Sequence, residues 1–220
     1  MSATDSDGAV PQVILGSASP ARLTVLRNAG LAPRVVVSDV DEDALFERLV
    51  TARPDEIVVR LAQAKADAII AELAAEEPAP DAQAIVLTCD SMLLFDGALT
   101  GKPHLPDVAV AQWRRMRGHS GELITGHCVS LMRGPDVVGS AHRAHSTVIH
   151  FDDVDDASID AYVATGEPLE VAGAFTLDGL GGWFIRGIEG DPSSVLGISL
   201  PTVAALLREL DVDVTTLWRD

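Results

Sequence analysis

The sequence predicts an α/β protein, and three stretches carry that expectation. Val13–Gly30 (VILGSASPARLTVLRNAG) reads as a strand that turns through a polar loop into a helix. Pro54–Glu76 is one long helical run. Leu123–Leu131 and Val137–Phe151 alternate as the arms of a hairpin around Arg133-Gly134-Pro135-Asp136. In the first stretch, Val13-Ile14-Leu15 supplies the strand, Ser19 can cap the helix, and Pro20 falls at the first helical position, where its missing N–H costs nothing. Leu23, Leu26 and Ala29 form the apolar stripe, and Gly30 closes the helix. Such a loop leaves backbone N–H groups and the hydroxyls of Ser17 and Ser19 at a positive helix end, with Arg22 one turn in, an arrangement suited to a phosphorylated small molecule. Capped strand–loop–helix units without a ligand are common in α/β proteins, and neither GxxxxGK[ST] nor GxGxxG is present here.

The remaining elements follow in chain order. Pro33–Ser38 reads as a strand, and the acidic run Asp39–Asp43 as a solvated loop or the negative first turn of a helix; a carboxylate of that run facing a cleft could hold a divalent metal. In the long helix Ile57, Leu61 and Ala68 mark the buried face, and Lys65 lies in the same stripe, either snorkelling to solvent or pointing into a cleft. Ala84–Phe95 (AIVLTCDSMLLF) is the central strand. Asp90 interrupts it, at a cost unless the carboxylate is paired, hydrogen-bonded or metal-bound. Asp96-Gly97 makes a hairpin turn whose returning strand brings Lys102 beside Asp90 if the two strands pair across it, and otherwise leaves Lys102 flanking a loop. A helix spans Pro106–Arg117 and stops at Gly118. His142, His145 and His150 fall on different faces of a strand, which suits cross-strand or surface roles better than metal ligation. A further helix covers 155–164, the glycine-rich Leu177–Gly182 leads into a strand Trp183–Ile188, and Ser199-Leu200-Pro201 opens a last helix ending at Leu210. Residues 1–12 read as a disordered tail, 13–210 as a single domain, and 211–220 as a C-terminal tail.

Composition narrows the partners. With 220 residues and a formal net charge of −17, the chain is poorly suited to duplex nucleic acid or an anionic membrane surface. Cys89 and Cys128 make neither a disulfide framework nor a zinc motif, and no apolar stretch has the length of a membrane span or the pattern of a signal peptide, so a cytoplasmic setting is expected.

Four blocks, VILGSASPARLTVLRNAGL, AIVLTCDSMLLFDGALTGKP, GHSGELITGHCVSL and the segment Tyr162–Leu200, resemble in order those of the Maf family, nucleoside triphosphate pyrophosphatases once described as septum-formation inhibitors. The resemblance runs from about Val13 to Leu210. It implies an elongated two-lobed α/β fold, a mixed sheet flanked by helices with a cleft between lobes, similar to that of the inosine triphosphatases. It also implies a divalent cation (magnesium or manganese) and hydrolysis of a nucleoside triphosphate to monophosphate and pyrophosphate, with a homodimer as the common assembly.

Position by position, Ser17 and Arg22 match the family's phosphate-binding loop, Glu42 its acidic residue near the metal, and Lys65 its helix lysine. Asp90 and Lys102 match the aspartate of ADT and the lysine of GKP. The resemblance thus implies Glu42 and Asp90 as metal ligands, Asp90 as the group that orients or deprotonates water, and Ser17, Arg22, Lys65, Ser91, Lys102 and Asp178 as substrate-binding residues. Ala21 stands in place of a second arginine, Ser91 in place of threonine, and Asp178 in place of the glutamine of IQG. The last change exchanges an amide that donates and accepts for a carboxylate that only accepts. Pyrimidine or modified-base triphosphates are the expected substrates, with the base against the glycine-rich loop near Asp178 and Trp183. A nucleotide-binding regulator of cell division without catalysis, and an inosine-triphosphate-type enzyme, are the alternatives.

Overall fold

A computed structural model describes residues 10–49 and 51–219, so the tail expected over 1–12 lies mostly outside the described residues. The elements are β1 (Gln12–Gly16), α1 (Pro20–Asn28), β2 (Arg34–Val35), α2 (Glu42–Leu49), α3 (Pro54–Ala75), β3 (Gln83–Phe95), β4 (Ala98–Thr100), α4 (Pro106–Met116), β5 (Ser120–Arg133), β6 (Asp136–Phe151), α5 (Asp156–Ala164), β7 (Ile185–Glu189), α6 (Pro192–Val195) and α7 (Leu200–Glu209). They build one seven-stranded mixed sheet in the order β2-β1-β3-β5-β6-β7, with β4 added to β3. β1 runs parallel to β2 and β3, and the other pairs are antiparallel.

The sheet edge along β3 contains a notch. β1 pairs with β3 only as far as Gly16 opposite Thr88, and β4 takes up pairing at Leu93 opposite Thr100. Cys89–Met92 therefore pair with β5 on one side and have no strand partner on the other. Because side chains alternate across a strand, Asp90 points to one face of the sheet and Cys89 and Ser91 to the other.

Two apolar cores flank this middle. One gathers Leu15 and Leu87 with Leu26 of α1, Val129 of β5, and Leu206 and Leu207 of α7. The other gathers Leu93, Leu123 and Phe151 around Trp113, whose Nε1–H donates to the Ala174 carbonyl at 2.7 Å and whose ring meets Phe151 and Tyr162 edge-on. β3 and β5 run through both cores, which gives the two lobes a shared spine. α3 crosses the opposite face; a Cβ at Gly126 of β5 would lie 2.2 Å from the Val58 carbonyl oxygen, so glycine allows the helix backbone to lie directly on the strand.

Several expectations are corrected. The strand expected over Pro33–Ser38 is only Arg34–Val35, because it meets a single partner at the sheet margin, where Val35 and Val37 stay exposed. Trp183 lies in a 3₁₀ turn (Leu180–Phe184), and the strand begins at Ile185. The stretch read as a C-terminal tail folds back: Leu217 is buried in the first core, and Arg219 N donates to Gly30 O at 2.8 Å. The acidic run ends as the negative first turn of α2, one of the two readings it allowed, whereas α6 is a short helix that the sequence pattern did not suggest. Cys89 and Cys128 are both free, buried in different clusters on adjacent strands. Among the described residues no helix is long and apolar enough to cross a membrane.

Candidate active site

The notch collects groups from both faces of the sheet. On the α3 face, Asp90 is buried and its Oδ1 accepts from Lys65 Nζ at 2.6 Å. Lys65 is itself buried in the helix stripe, and it also reaches Glu42 Oε2 at 2.9 Å, so one ammonium bridges two carboxylates. Glu42 comes from the first residue of α2 and remains half-exposed. The lysine thus points into the cleft, the second of the two options its position offered. Close seating of α3 over Gly126 and the bond from Thr88 Oγ1 to Ala62 O at 2.6 Å hold the helix at the depth this requires.

On the α1 face, Ser19 caps the helix by accepting from Arg22 N at 3.4 Å, and Ser17 Oγ accepts from Ser19 N at 3.2 Å. The Arg22 guanidinium folds back over the notch. Its Nη1 donates to Ser17 Oγ at 3.0 Å and Cys89 O at 2.9 Å, its Nη2 to Ser91 Oγ at 3.1 Å, and its Nε to Gly197 O at 2.8 Å. Ser91 is backed by Thr125 Oγ1 at 2.9 Å. Lys102 follows β4 and is exposed, close enough for its charge to act on Glu42.

The two carboxylates respond differently to this setting. Burial pushes Asp90 above the ordinary aspartate range, with the nearby Glu42 charge adding to it and Lys65 and Arg22 only partly opposing it. At Glu42 burial also acts upward, yet the ammonium of Lys65, with help from Lys102, holds its carboxyl below the usual range. A raised aspartate is the better proton acceptor; a lowered glutamate stays anionic. No three His, Cys, Asp or Glu side chains converge as a metal cage among the described residues. Two adjacent carboxylates nevertheless suit magnesium or manganese, which take one or two carboxylates and complete their shell with water and substrate phosphates.

A family described as Maf-like protein matches residues 12–210. The chain belongs to the Maf family. It is 54% identical over 206 residues to a protein of Saccharopolyspora erythraea named nucleoside triphosphate pyrophosphatase, covering 93% of this chain and 96% of that one. Proteins of the same name from Nocardia farcinica (54% over 208 residues; 94% and 96% covered) and Mycolicibacterium smegmatis (53% over 207 residues; 94% and 97% covered) are similar to it as well. A solved nucleoside-triphosphatase / dITP/XTP pyrophosphatase of Mycobacterium abscessus overlaps at a TM-score of 0.33 and 10% identity, covering 90% of this chain and 93% of that one, too loosely to bear on the site.

In this Maf chain Ser17, Arg22, Glu42, Lys65, Asp90 and Ser91 form one connected cluster, with Lys102 at its margin. Asp178 stands apart from it. It is exposed and lines a cavity of 430 Å³ with Leu177, Val25, Asn28, Leu196 and Ser193, on the flank of α1 that begins at Arg22. Trp183 is 82% exposed and is not among the residues lining that cavity.

The glycine-rich loop is organised by Glu167, which the sequence pattern did not single out. Its carboxylate accepts from Leu180 N and Gly181 N, both at 3.0 Å, and from the hydroxyls of Tyr162 and Thr176. His127 was also missed, although a histidine inside the apolar run LITGHCVSL is as conspicuous as Asp90 in its own strand.

Proposed function

We propose that this Maf-family chain hydrolyses a nucleoside triphosphate to the monophosphate and pyrophosphate in the sheet-edge notch. Family membership and the names of relatives more than half identical support the reaction class. The observation that carries the assignment of residues is the meeting, across Asp90 and Ser91, of a buried carboxylate and an arginine held by neutral acceptors. Arg22 and Lys102 attract the phosphates, with Ser17 and Ser91 hydroxyls at the rim. Asp90 takes a proton from the water that attacks the α-phosphorus; the new P–O bond forms there while the bond to the bridging oxygen breaks and pyrophosphate leaves. Lys65 keeps Asp90 and Glu42 together and offsets their mutual repulsion. Glu42 and Asp90 would hold a divalent cation, which supplies positive charge against the phosphate oxygens.

The base, in this reading, enters the cavity beside Asp178. An ionised carboxylate accepts without donating, so a donor-rich edge such as the amino group of cytosine or the N1–H and N2–H₂ of guanine is favoured over uracil or thymine. The expected assembly is a homodimer, which sedimentation velocity checks.

The test is a panel of common and modified nucleoside triphosphates with magnesium or manganese, read as released pyrophosphate. Turnover that vanishes in chelator and returns with added metal is expected. A folded protein that binds nucleotide and releases no pyrophosphate from any of them would overturn the enzymatic reading. Asp178→Gln should shift the ranking toward uracil and thymine, and an unchanged ranking would leave Asp178 as a turn residue only.

A further inference from the structure

Arg22 carries five N–H donors, and four of them are already engaged within the protein. Three of the acceptors, Ser17 Oγ, Cys89 O and Ser91 Oγ, belong to the loop and strand that frame the notch. The fourth, the Gly197 carbonyl, comes from the segment between α6 and α7 and fixes Nε, the atom that sets the plane of the fork. Gly197 has φ +95°, and a Cβ there would sit 2.9 Å from that Nε, so backbone and guanidinium are in direct contact.

Gly197 N donates to Ser194 O at 2.9 Å, which leaves the direction of its carbonyl to the residues that follow it. Two residues on, Ser199 caps α7 and donates its own backbone N–H to His127 Nε2 at 2.8 Å. His127 stands on β5 directly opposite Cys89, whose carbonyl accepts from Arg22, so the imidazole underlies both ends of the arrangement. For Nε2 to accept, the ring must be neutral with its proton on Nδ1. Burial, and then the Arg22 charge, depress its basicity to about 4, against a weaker upward pull from the Arg143 carbonyl. The ring is 1% exposed and its Nδ1 has no aligned partner among the described residues. A buried polar group left half-satisfied is costly, and an apolar side chain would fill the same space without that cost, though it would orphan the Ser199 N–H.

We propose that His127 is a positioning residue for Arg22: it anchors Ser199, Ser199 holds the Gly197 carbonyl in place, and that carbonyl orients the guanidinium toward the phosphates. The proposal rests on the reading that Arg22 receives the phosphates. A guanidinium misplaced by a fraction of its own length loses alignment with a phosphate while its charge persists.

The full chain is tested with His127→Phe, which keeps ring volume and removes the acceptor, and His127→Gln, whose amide oxygen reaches the place of Nε2. His127→Phe is expected to lower kcat/KM by about tenfold and His127→Gln to restore most of it. In an Arg22→Ala background the His127→Phe loss should disappear, since the residue acts through Arg22. Hydrogen exchange of the Arg22 Nε–H, followed by NMR, should quicken in His127→Phe and stay slow in His127→Gln. Losses that simply add, or an Nε–H equally protected in folded His127→Phe, would overturn the proposal. If His127→Phe does not fold, His127→Gln decides: slow exchange with retained activity supports the tether, and fast exchange contradicts it. Should Arg22→Ala leave kcat/KM intact, the phosphate reading fails instead, and the exchange rates still report on the tether by themselves.

Discussion

On the α3 face of the notch a lysine lies between two carboxylates, whereas on the α1 face an arginine meets four neutral oxygens. The charge of Lys65 is therefore spent inside the protein, and that of Arg22 is left for a ligand. Both groups are held rigidly, but the ways differ in cost. Desolvating ions is expensive and tolerable only when partners are close, so the α3 face needs its 2.6 Å and 2.9 Å contacts to exist at all. Fixing a guanidinium with carbonyls and hydroxyls satisfies its donors without neutralising it. In a chain of net charge −17, an arginine at the sheet edge whose hydrogen-bond acceptors are all neutral, together with Lys102, lets a polyanion approach.

The largest effect should come from breaking the ionic side. Asp90→Asn keeps the shape of the side chain and removes the proton acceptor and one negative charge, so kcat is expected to fall by about 10³ while the far-UV spectrum stays that of a folded protein and melting drops, because Lys65 then keeps only Glu42 as a charged partner. A folded Asp90→Asn protein with near-normal turnover would mean that the ionic side only supports the fold.

A smaller effect separates the two faces by pH. His127 titrates near 6.5 when free and at about 4 in the folded chain. The unfolded state then binds more protons between those values, and stability is full above pH 6.5 and drains as pH falls toward 4. The loss is on the order of 3 kcal/mol across that window. Denaturant melts of wild type and His127→Gln over that range check it. The variant should have the flatter profile, and parallel profiles would place the acid sensitivity elsewhere.

Much of this site could be read from the residue pattern because charged side chains interrupt apolar runs. Asp90 in AIVLTCDSMLLF called for a partner, and Lys65 in the α3 stripe could turn to solvent or into a cleft; each proves to be the other's partner. The capped loop at Ser17–Arg22 was legible for a similar reason, since Ser19 and Pro20 are the residues a helix start demands. What holds Arg22 was not legible. Two of its acceptors are backbone carbonyls, 67 and 175 residues away, and a carbonyl carries no residue signature. The short β2 and the folded C-terminal segment were misjudged because their packing depends on which elements lie beside them. Leu217 is apolar in either setting, and only the first core shows where it goes.

Isothermal titration of metal-free pyrophosphate against wild type and Arg22→Gln measures the contrast between the two faces most directly. If the free charge of the notch resides on Arg22, the folded variant should bind pyrophosphate at least about tenfold more weakly, the cost of losing one charge-assisted contact. Equal affinity in the two proteins would contradict the account, and would assign the phosphates to other cations of the cleft.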